Sequence, residues 1–173
     1  IIDAFVSLPV PIIAALNGLA YGGGAELAVR CDMRIMDADA VICFSEVTLG
    51  LMPDWGGGPT LAHLVGPAAA ADLILTARKV KSEEAIRLGL VNRVSPPGQC
   101  LASAREVAGE IAGNGPTAVR EALHVIRQAR NMPLAKALDL EAERAVSLVV
   151  SGECVHGVAA FLEKKPPAFP DIE

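Results

Sequence analysis

Between Asn17 and Glu26 the chain reads NGLAYGGGAE, with glycines at 18, 22, 23 and 24 and a carboxylate two residues after the last of them. Apolar sequence lies on both sides. Glycine lets backbone come close to a neighbour and take φ > 0. The residues that follow, Ala25–Arg30, have the composition of a helix start. The first N–H groups of a helix have no partner within it and carry partial positive charge. A glycine turn that delivers such amides to solvent is a place to hold a developing oxyanion. A glycine triplet on its own fits equally a tight turn packed under a helix, so the remainder of the chain has to decide.

Upstream, Ile1–Leu8 reads as the end of a helix stopped by Pro9 and Pro11. Ile12–Leu16 is a short continuous apolar run, suited to a strand buried on both faces. After a helix over Ala25–Cys31 come a second short run, Met33–Met36, and a strand over Ala40–Phe44. Strand, turn, helix, strand and strand in quick succession predict α/β layering with short connections. Pro53 and a second glycine triplet make Leu51–Gly58 a loop or a sharp helix entry. Pro59–Val65 should be helical. Ala68–Thr76, opened by Pro67, is apolar all round and predicts a buried helix. Arg78–Lys81 (RKVK) reads by itself as a solvated loop. Ser82 is placed to cap a helix that Gly89 ends, and Val91–Val94 is a short strand. From Leu101 the pattern is wholly helical: Leu101–Ala112, a helix opened by Pro116, Leu134–Val150, and a last helix capped by Ser151 and running to Phe161 or Lys164. Residues 1–100 therefore form the α/β body with the site, and 101–173 a helical region.

Composition narrows the function. A net charge of −5 argues against a general nucleic-acid binder. The longest apolar stretch, Pro11–Ala25, is interrupted by Asn17 and glycines and falls short of the roughly 20 residues a spanning helix needs. With 52% hydrophobic residues the chain has enough for a core and for burial against a partner chain. Cys31, Cys43, Cys100 and Cys154 show no CxxC spacing and predict buried free thiols in a reducing cytoplasm. His63, His124 and His156 have no metal-ligand spacing and read as polar or packing residues. A phosphate-binding loop needs GxGxxG or GK[ST], and position 20 is Ala where the former needs Gly. A serine hydrolase needs a GxSxG elbow, which does not occur. The chain has no basic leader and no initiator Met, and it opens inside an amphipathic segment, so an upstream part is expected to be missing.

Three signals in order, NGLAYGGGAELAVRCD, FSEVTLGLMPDWGGGPTLAHLVG and ILTARKVKSEEAIRLGLVNRV, with GVAAFLEKK near the end, resemble the enoyl-CoA hydratase/isomerase (crotonase) superfamily. The resemblance covers essentially the whole chain. It implies an α/β fold, a spiral of ββα turns followed by a C-terminal helical region used in trimer formation, with dimers of trimers in many members. It implies chemistry on acyl thioesters of coenzyme A through a stabilised enolate, in fatty-acid β-oxidation or related metabolism. No metal is implied, nor any cofactor beyond the coenzyme A that the substrate carries, and no nucleic acid or membrane partner.

Residue by residue, Gly23 matches the glycine whose N–H forms half of the oxyanion hole, with Gly22 beside it. Glu26 and Glu46 match the two catalytic glutamates of the hydratases. Phe161 and Lys164 match positions that contact the CoA moiety from a neighbouring subunit, and Arg78–Lys81 lies near the adenine and phosphate site. The second oxyanion amide belongs to an upstream alanine-glycine-aspartate segment that these residues do not contain. Asp54 matches the position of a working aspartate in some isomerases of the superfamily, and otherwise fits an N-cap or loop aspartate. Trp55 is expected to wall the pocket or pack a lid. With both glutamates present, hydration of a trans-2-enoyl thioester comes first, double-bond isomerisation second, and a non-catalytic acyl-CoA-binding or scaffold protein third.

Overall fold

The computed structural model describes residues 2–170. They divide into two compact units, one ending at Glu106 and one beginning at Val107, so the division falls inside a helix. In the first unit, α1 (Ile2–Val6) precedes β1 (Ile13–Leu16), β2 (Leu19–Tyr21) and α2 (Gly23–Arg30). Ile1 lies outside the described residues. Next come β3 (Met33–Asp37), β4 (Val41–Cys43) and a 3₁₀ turn over Glu46–Leu49. Then follow α3 (Gly57–Val65), α4 (Pro67–Thr76), β5 (Val80–Lys81), α5 (Ser82–Arg87) and β6 (Arg93–Ser95).

Sequence neighbours do not pair. β1, β3 and β6 form one parallel sheet, in which Ile13 faces Met33 and Ile35 faces Arg93. β2 and β4 run parallel in a second sheet, Leu19 facing Val41, and β5 closes it antiparallel to β4. Each strand thus pairs with its counterpart one turn of chain later, which is a spiral of strand–strand–helix turns. The core between these layers centres on Phe44, Ile42, Leu61, Leu73, Val80 and Leu90. Full burial of each such side chain stabilises by about 1.5–3 kcal/mol.

Several expectations are corrected. β2 is a strand within the glycine-rich stretch, and α2 starts at Gly23, because the backbone reverses at Gly22, which has φ +52°. β1 is not buried on both faces: only Leu16 is fully buried, since β1 lies at the edge of its sheet. α4 buries only Ala70 and Leu73, and Leu75 is 72% exposed, so its apolar surface is one-sided in use. Ser82 is not a cap. The N-cap is Lys81, and the Ser82 hydroxyl donates instead to the Ala38 carbonyl at 2.7 Å. The apolar run Met33–Met36 hides a buried cation. Arg34, 3% exposed, donates to the carbonyls of Leu90 and Cys31 at 2.7 Å each, so carbonyl dipoles replace its lost water. Asp37 accepts from the Ser95 hydroxyl and from the amides of Gly98, Gln99 and Cys100. It thereby fixes the start of α6 (Cys100–Ala112).

The second unit holds α7 (Pro116–Ala129), α8 (Leu134–Ser151) and α9 (Glu153–Glu163). Ser151 is the last residue of α8 rather than a cap. Gly152, at φ +82°, turns the chain by 73° into α9. The carboxylate of Glu153 accepts from the amides of Thr117 and Ala118 in the first turn of α7. Its packing against Gly115 leaves no room for a side chain there. Cys31, Cys43 and Cys100 are buried, and burial pushes their thiols up. Cys154 is exposed, against expectation, because it points off the solvent side of α9. Among the described residues no single helix is long and apolar enough to cross a membrane.

Candidate active site

The glycine turn organises the site. Gly22 donates its N–H to the Cys43 carbonyl at 2.9 Å, extending the β2–β4 ladder, and its own carbonyl receives Glu26 N at 3.0 Å. Gly22 is therefore committed to the scaffold on both sides. The next amide, on Gly23, stands at the first position of α2, where no carbonyl four residues back within the helix serves it. It is not drawn into the ladder, and it carries the positive end of the α2 dipole.

One turn into α2, Glu26 is 1% exposed. A buried carboxylate needs hydrogen-bond donors, and three backbone amides supply them. Trp55 and Gly57 donate to Oε2 at 2.8 and 2.9 Å, and Asp54 to Oε1 at 3.3 Å. The approach is so close that a Cβ on Gly57 would lie 2.5 Å from Glu26 Cγ and 2.8 Å from its Oε2. Within the second glycine triplet it is Gly57 that makes contact with Glu26, and of the two alternatives the stretch is the sharp helix entry, with α3 opening at Gly57. A further turn along α2, Arg30 donates to the Trp55 carbonyl at 3.4 Å and pairs with Asp3 at 2.9 Å. Glu26 and Arg30, an i, i+4 pair, therefore grip the 54–57 segment by its amides and by a carbonyl. Neither Arg30 nor Gly57 was singled out from sequence. The i+4 spacing from a buried acid was the available signal for Arg30.

Glu46 opens the 3₁₀ turn after β4 and lies against the glycine turn. A Cβ on Gly22 would sit 3.8 Å from Glu46 Oε1. Both Glu46 oxygens are buried without a hydrogen-bond partner. Burial raises its carboxyl above the usual carboxylate range, and the nearby Glu26 and Asp54 carboxylates push it further. The two glutamates are thus within each other's influence at one end of the glycine turn, one saturated by amides and one unsatisfied.

Asp54 is exposed and is not a helix cap, since Gly56 is the N-cap of α3. Its charge reaches Glu46. Trp55 lays the edge of its six-membered ring on Gly23: a Cβ there would meet Cζ3 at 2.7 Å and Cη2 at 3.0 Å. Arg78 is committed within the unit. It donates to Asp72 at 2.7 Å and to both oxygens of Glu84 at 2.7 and 2.8 Å. Its hydrogen bonds to Glu84 and Asp72 hold the guanidinium more firmly charged, and that pairing holds Glu84 below the usual carboxylate range. Lys81 is exposed on β5, and Lys79 lies over the Tyr21 ring at 5.9 Å. Phe161 and Lys164 belong to the second unit. Phe161 is 80% exposed, and Lys164 closes α9 in the left-handed region at φ +55°. Among the described residues no group of three or more His, Cys, Asp or Glu side chains is arranged to hold a metal ion.

Residues 2–172 match the enoyl-CoA hydratase/isomerase family. The chain is 39% identical over 155 residues to the short-chain-enoyl-CoA hydratase of Clostridium acetobutylicum, covering 90% of this chain and 59% of that protein. It is 38% identical over 159 residues to the crotonyl-CoA hydratase of Syntrophomonas wolfei, covering 92% of this chain and 61% of that one. The crystal structure of an enoyl-CoA hydratase from Bacillus anthracis superposes with a TM-score of 0.94 at 37% identity, covering 97% of this chain and 65% of that chain. The chain thus spans about three-fifths of the length of these curated relatives.

Proposed function

This chain belongs to the enoyl-CoA hydratase/isomerase family, and from that premise we propose that the protein carrying it hydrates trans-2-enoyl-CoA thioesters to 3-hydroxyacyl-CoA. One observation carries the reading: a buried Glu26 and a half-buried Glu46 whose two oxygens are themselves buried, unequal in their hydrogen bonding, meet at a glycine turn whose Gly23 amide is left free by the helix geometry.

The thioester carbonyl oxygen accepts a hydrogen bond from Gly23 N–H. Negative charge grows on that oxygen as the double bond is attacked, and a preorganised donor of this kind is worth roughly 3–4 kcal/mol. Glu26, held by three amides, orients a water and takes one of its protons as the oxygen bonds to C3. Glu46, whose raised carboxyl favours the protonated form, gives its proton to C2. The C2–C3 π pair becomes the C2–H bond, the added hydroxyl sits on C3, and the proton that Glu26 received restores Glu46 through solvent. The difference in surroundings between two neighbouring carboxyls is what assigns base and acid. Coenzyme A enters as part of the substrate, and no further cofactor is invoked. Lys81 is assigned to contact with the CoA moiety, and Phe161 and Lys164 to the same contact made from a neighbouring subunit. Arg78 holds the nearby backbone through its ion pairs. Exposed apolar positions on α8 and α9 support a homotrimer or a dimer of trimers, and four unpaired thiols support a cytoplasmic setting.

The test is loss of enoyl-thioester absorbance from crotonyl-CoA with the complete polypeptide. Glu26→Gln and Glu46→Gln should each lower kcat by about 10²–10⁴-fold, and wild-type rates in both would end the assignment. A second reading rests on Asp54, exposed beside the pair and acting on Glu46. Conversion of a 3-enoyl-CoA to its 2-enoyl isomer without hydration, lost in Asp54→Asn, would favour isomerisation. Acyl-CoA binding with no turnover of either substrate would leave a non-catalytic binding protein.

A further inference from the structure

The indole of Trp55 is not loosely disposed. Its amide is held by Glu26 Oε2 at 2.8 Å and its carbonyl by Arg30 at 3.4 Å, so both ends of the residue are fixed to α2. From that anchored backbone the ring reaches back over the glycine turn. Cζ3, Cη2 and Cε3 lie 2.7, 3.0 and 3.1 Å from where a Cβ on Gly23 would stand. Trp55 is nonetheless 46% exposed, so the ring that rests its edge on the turn also meets open space. Arg30 also packs so tightly under Gly56 that no side chain fits there, which removes slack from the segment. A large flat apolar surface is therefore clamped beside the one amide and two carboxylates that would surround a thioester carbonyl.

We propose that Trp55 is the wall that sets acyl-chain length, confining the site to short enoyl groups, an inference that rests on the hydratase reading above. With the carbonyl oxygen at Gly23 N–H and C2 and C3 between the glutamates, the alkyl end of a short acyl group lies against the exposed part of the indole. A longer chain runs into the ring. The clamp fixes the point from which the ring projects, because shifting the Trp55 backbone requires breaking its hydrogen bonds to Glu26 and Arg30, while the close seat on Gly23 holds the ring edge. Removing the ring opens space in which each further methylene finding apolar contact is worth about fourfold in transition-state affinity.

The experiment measures kcat/KM for crotonyl-, trans-2-hexenoyl- and trans-2-octenoyl-CoA with the complete polypeptide as wild type, Trp55→Phe and Trp55→Ala. Wild type should favour crotonyl-CoA. Trp55→Ala should raise the octenoyl-to-crotonyl ratio by about tenfold or more, with Trp55→Phe between them. A ratio unchanged within about twofold in both variants overturns the wall. A second readout does not need turnover or the alanine variant. The indole emission, isolated as wild type minus Trp55→Phe, should shift on adding butyryl-CoA and not on adding CoA alone, and no shift with butyryl-CoA overturns the proposal. Absence of turnover with every substrate, together with a butyryl-CoA shift, would remove the hydratase reading and keep the wall.

Discussion

At the scale of single residues, the proposed acid role of Glu46 is set against stability. Its carboxyl is raised by burial and by its acidic neighbours, so the folded chain binds its proton more tightly than the unfolded chain does. The favourable contribution is complete below the ordinary glutamate pKa of about 4.3 and is lost as pH rises through the folded value. Above that value the fold carries a buried anion without a donor. Glu46→Gln removes the anion, so thermal melts should show the variant gaining on wild type as pH goes from about 4 to 8, while the proposed acid role has the same change lowering hydration. A gap between the two that is flat in pH would contradict this. The proposed acid role adds that wild-type kcat/KM falls on the alkaline side, where Glu46 is ionised. Gly57 is the complementary case. A methyl there would lie 2.5–2.9 Å from three Glu26 atoms, and Glu26 cannot retreat because its amide donors lie on the same segment. Gly57→Ala should lower activity by about two orders of magnitude or more and stability by about 1–3 kcal/mol through overpacking, read by kcat and denaturant titration.

At the scale of elements, α2 explains which parts of the site could be read directly. The helix was legible because its glycines, its Glu26 and its apolar residues all favour one structure. The same holds for β4, α7 and α8, whose patterns agree with their places, whereas the apolar run of β1 marks a strand but not its edge position. What escaped reading depends on contacts distant in sequence. β2 hides among glycines because three residues pairing with Leu19–Tyr21's counterpart strand decide it, not local propensity. Ser82 and Ser151 look like caps, but Ser82 is captured by the Ala38 carbonyl and Ser151 by the Leu148 carbonyl. The convergence of Glu26 with Glu46 was anticipated from resemblance. The grip of Arg30 on Trp55 was not, since its i+4 spacing from Glu26 puts it on the right helix face but does not say which distant carbonyl it reaches. Asp37 shows the same logic in α6. Burial opposes its ionisation, but the Ser95 hydroxyl and the amides of Gly98, Cys100 and Gln99 prevail and hold the carboxyl below the usual range. Its stabilising contribution is therefore present above the ordinary aspartate pKa of about 3.9 and disappears as pH falls through the folded value. Asp37→Asn should melt earlier than wild type at neutral pH, the gap closing in acid. A constant gap from about pH 2 to pH 7 would show that the carboxylate charge is not what orders the start of α6.

At the scale of the whole molecule, the surface of the second unit is the feature that packing within the chain leaves unexplained. On α8 and α9, Val146, Val149, Val150, Val155, Val158, Phe161 and Leu162 are 56–81% exposed. Monomeric proteins rarely leave contiguous apolar patches of more than a few hundred Å² in water. The hydrophobic effect acting on such a surface favours burial against another chain, and the proposed trimer is one way to supply it. The side chains at the middle of such a contact would matter most, because hot spots lie in fully desolvated pockets. Val150 and Leu162 are 81% and 74% exposed. A charge at either position leaves the isolated fold intact but would be desolvated in an interface, at a cost of about 2 kcal/mol or more per contact. Sedimentation of the complete polypeptide should therefore show trimers or hexamers for wild type and a shift to smaller species, at least thirtyfold in dissociation constant, for Val150→Glu with Leu162→Glu. Circular dichroism should stay the same, which separates a lost interface from a lost fold. If wild type sediments as a monomer at all concentrations, or the double variant assembles as well as wild type does, this apolar surface is not what joins the chains.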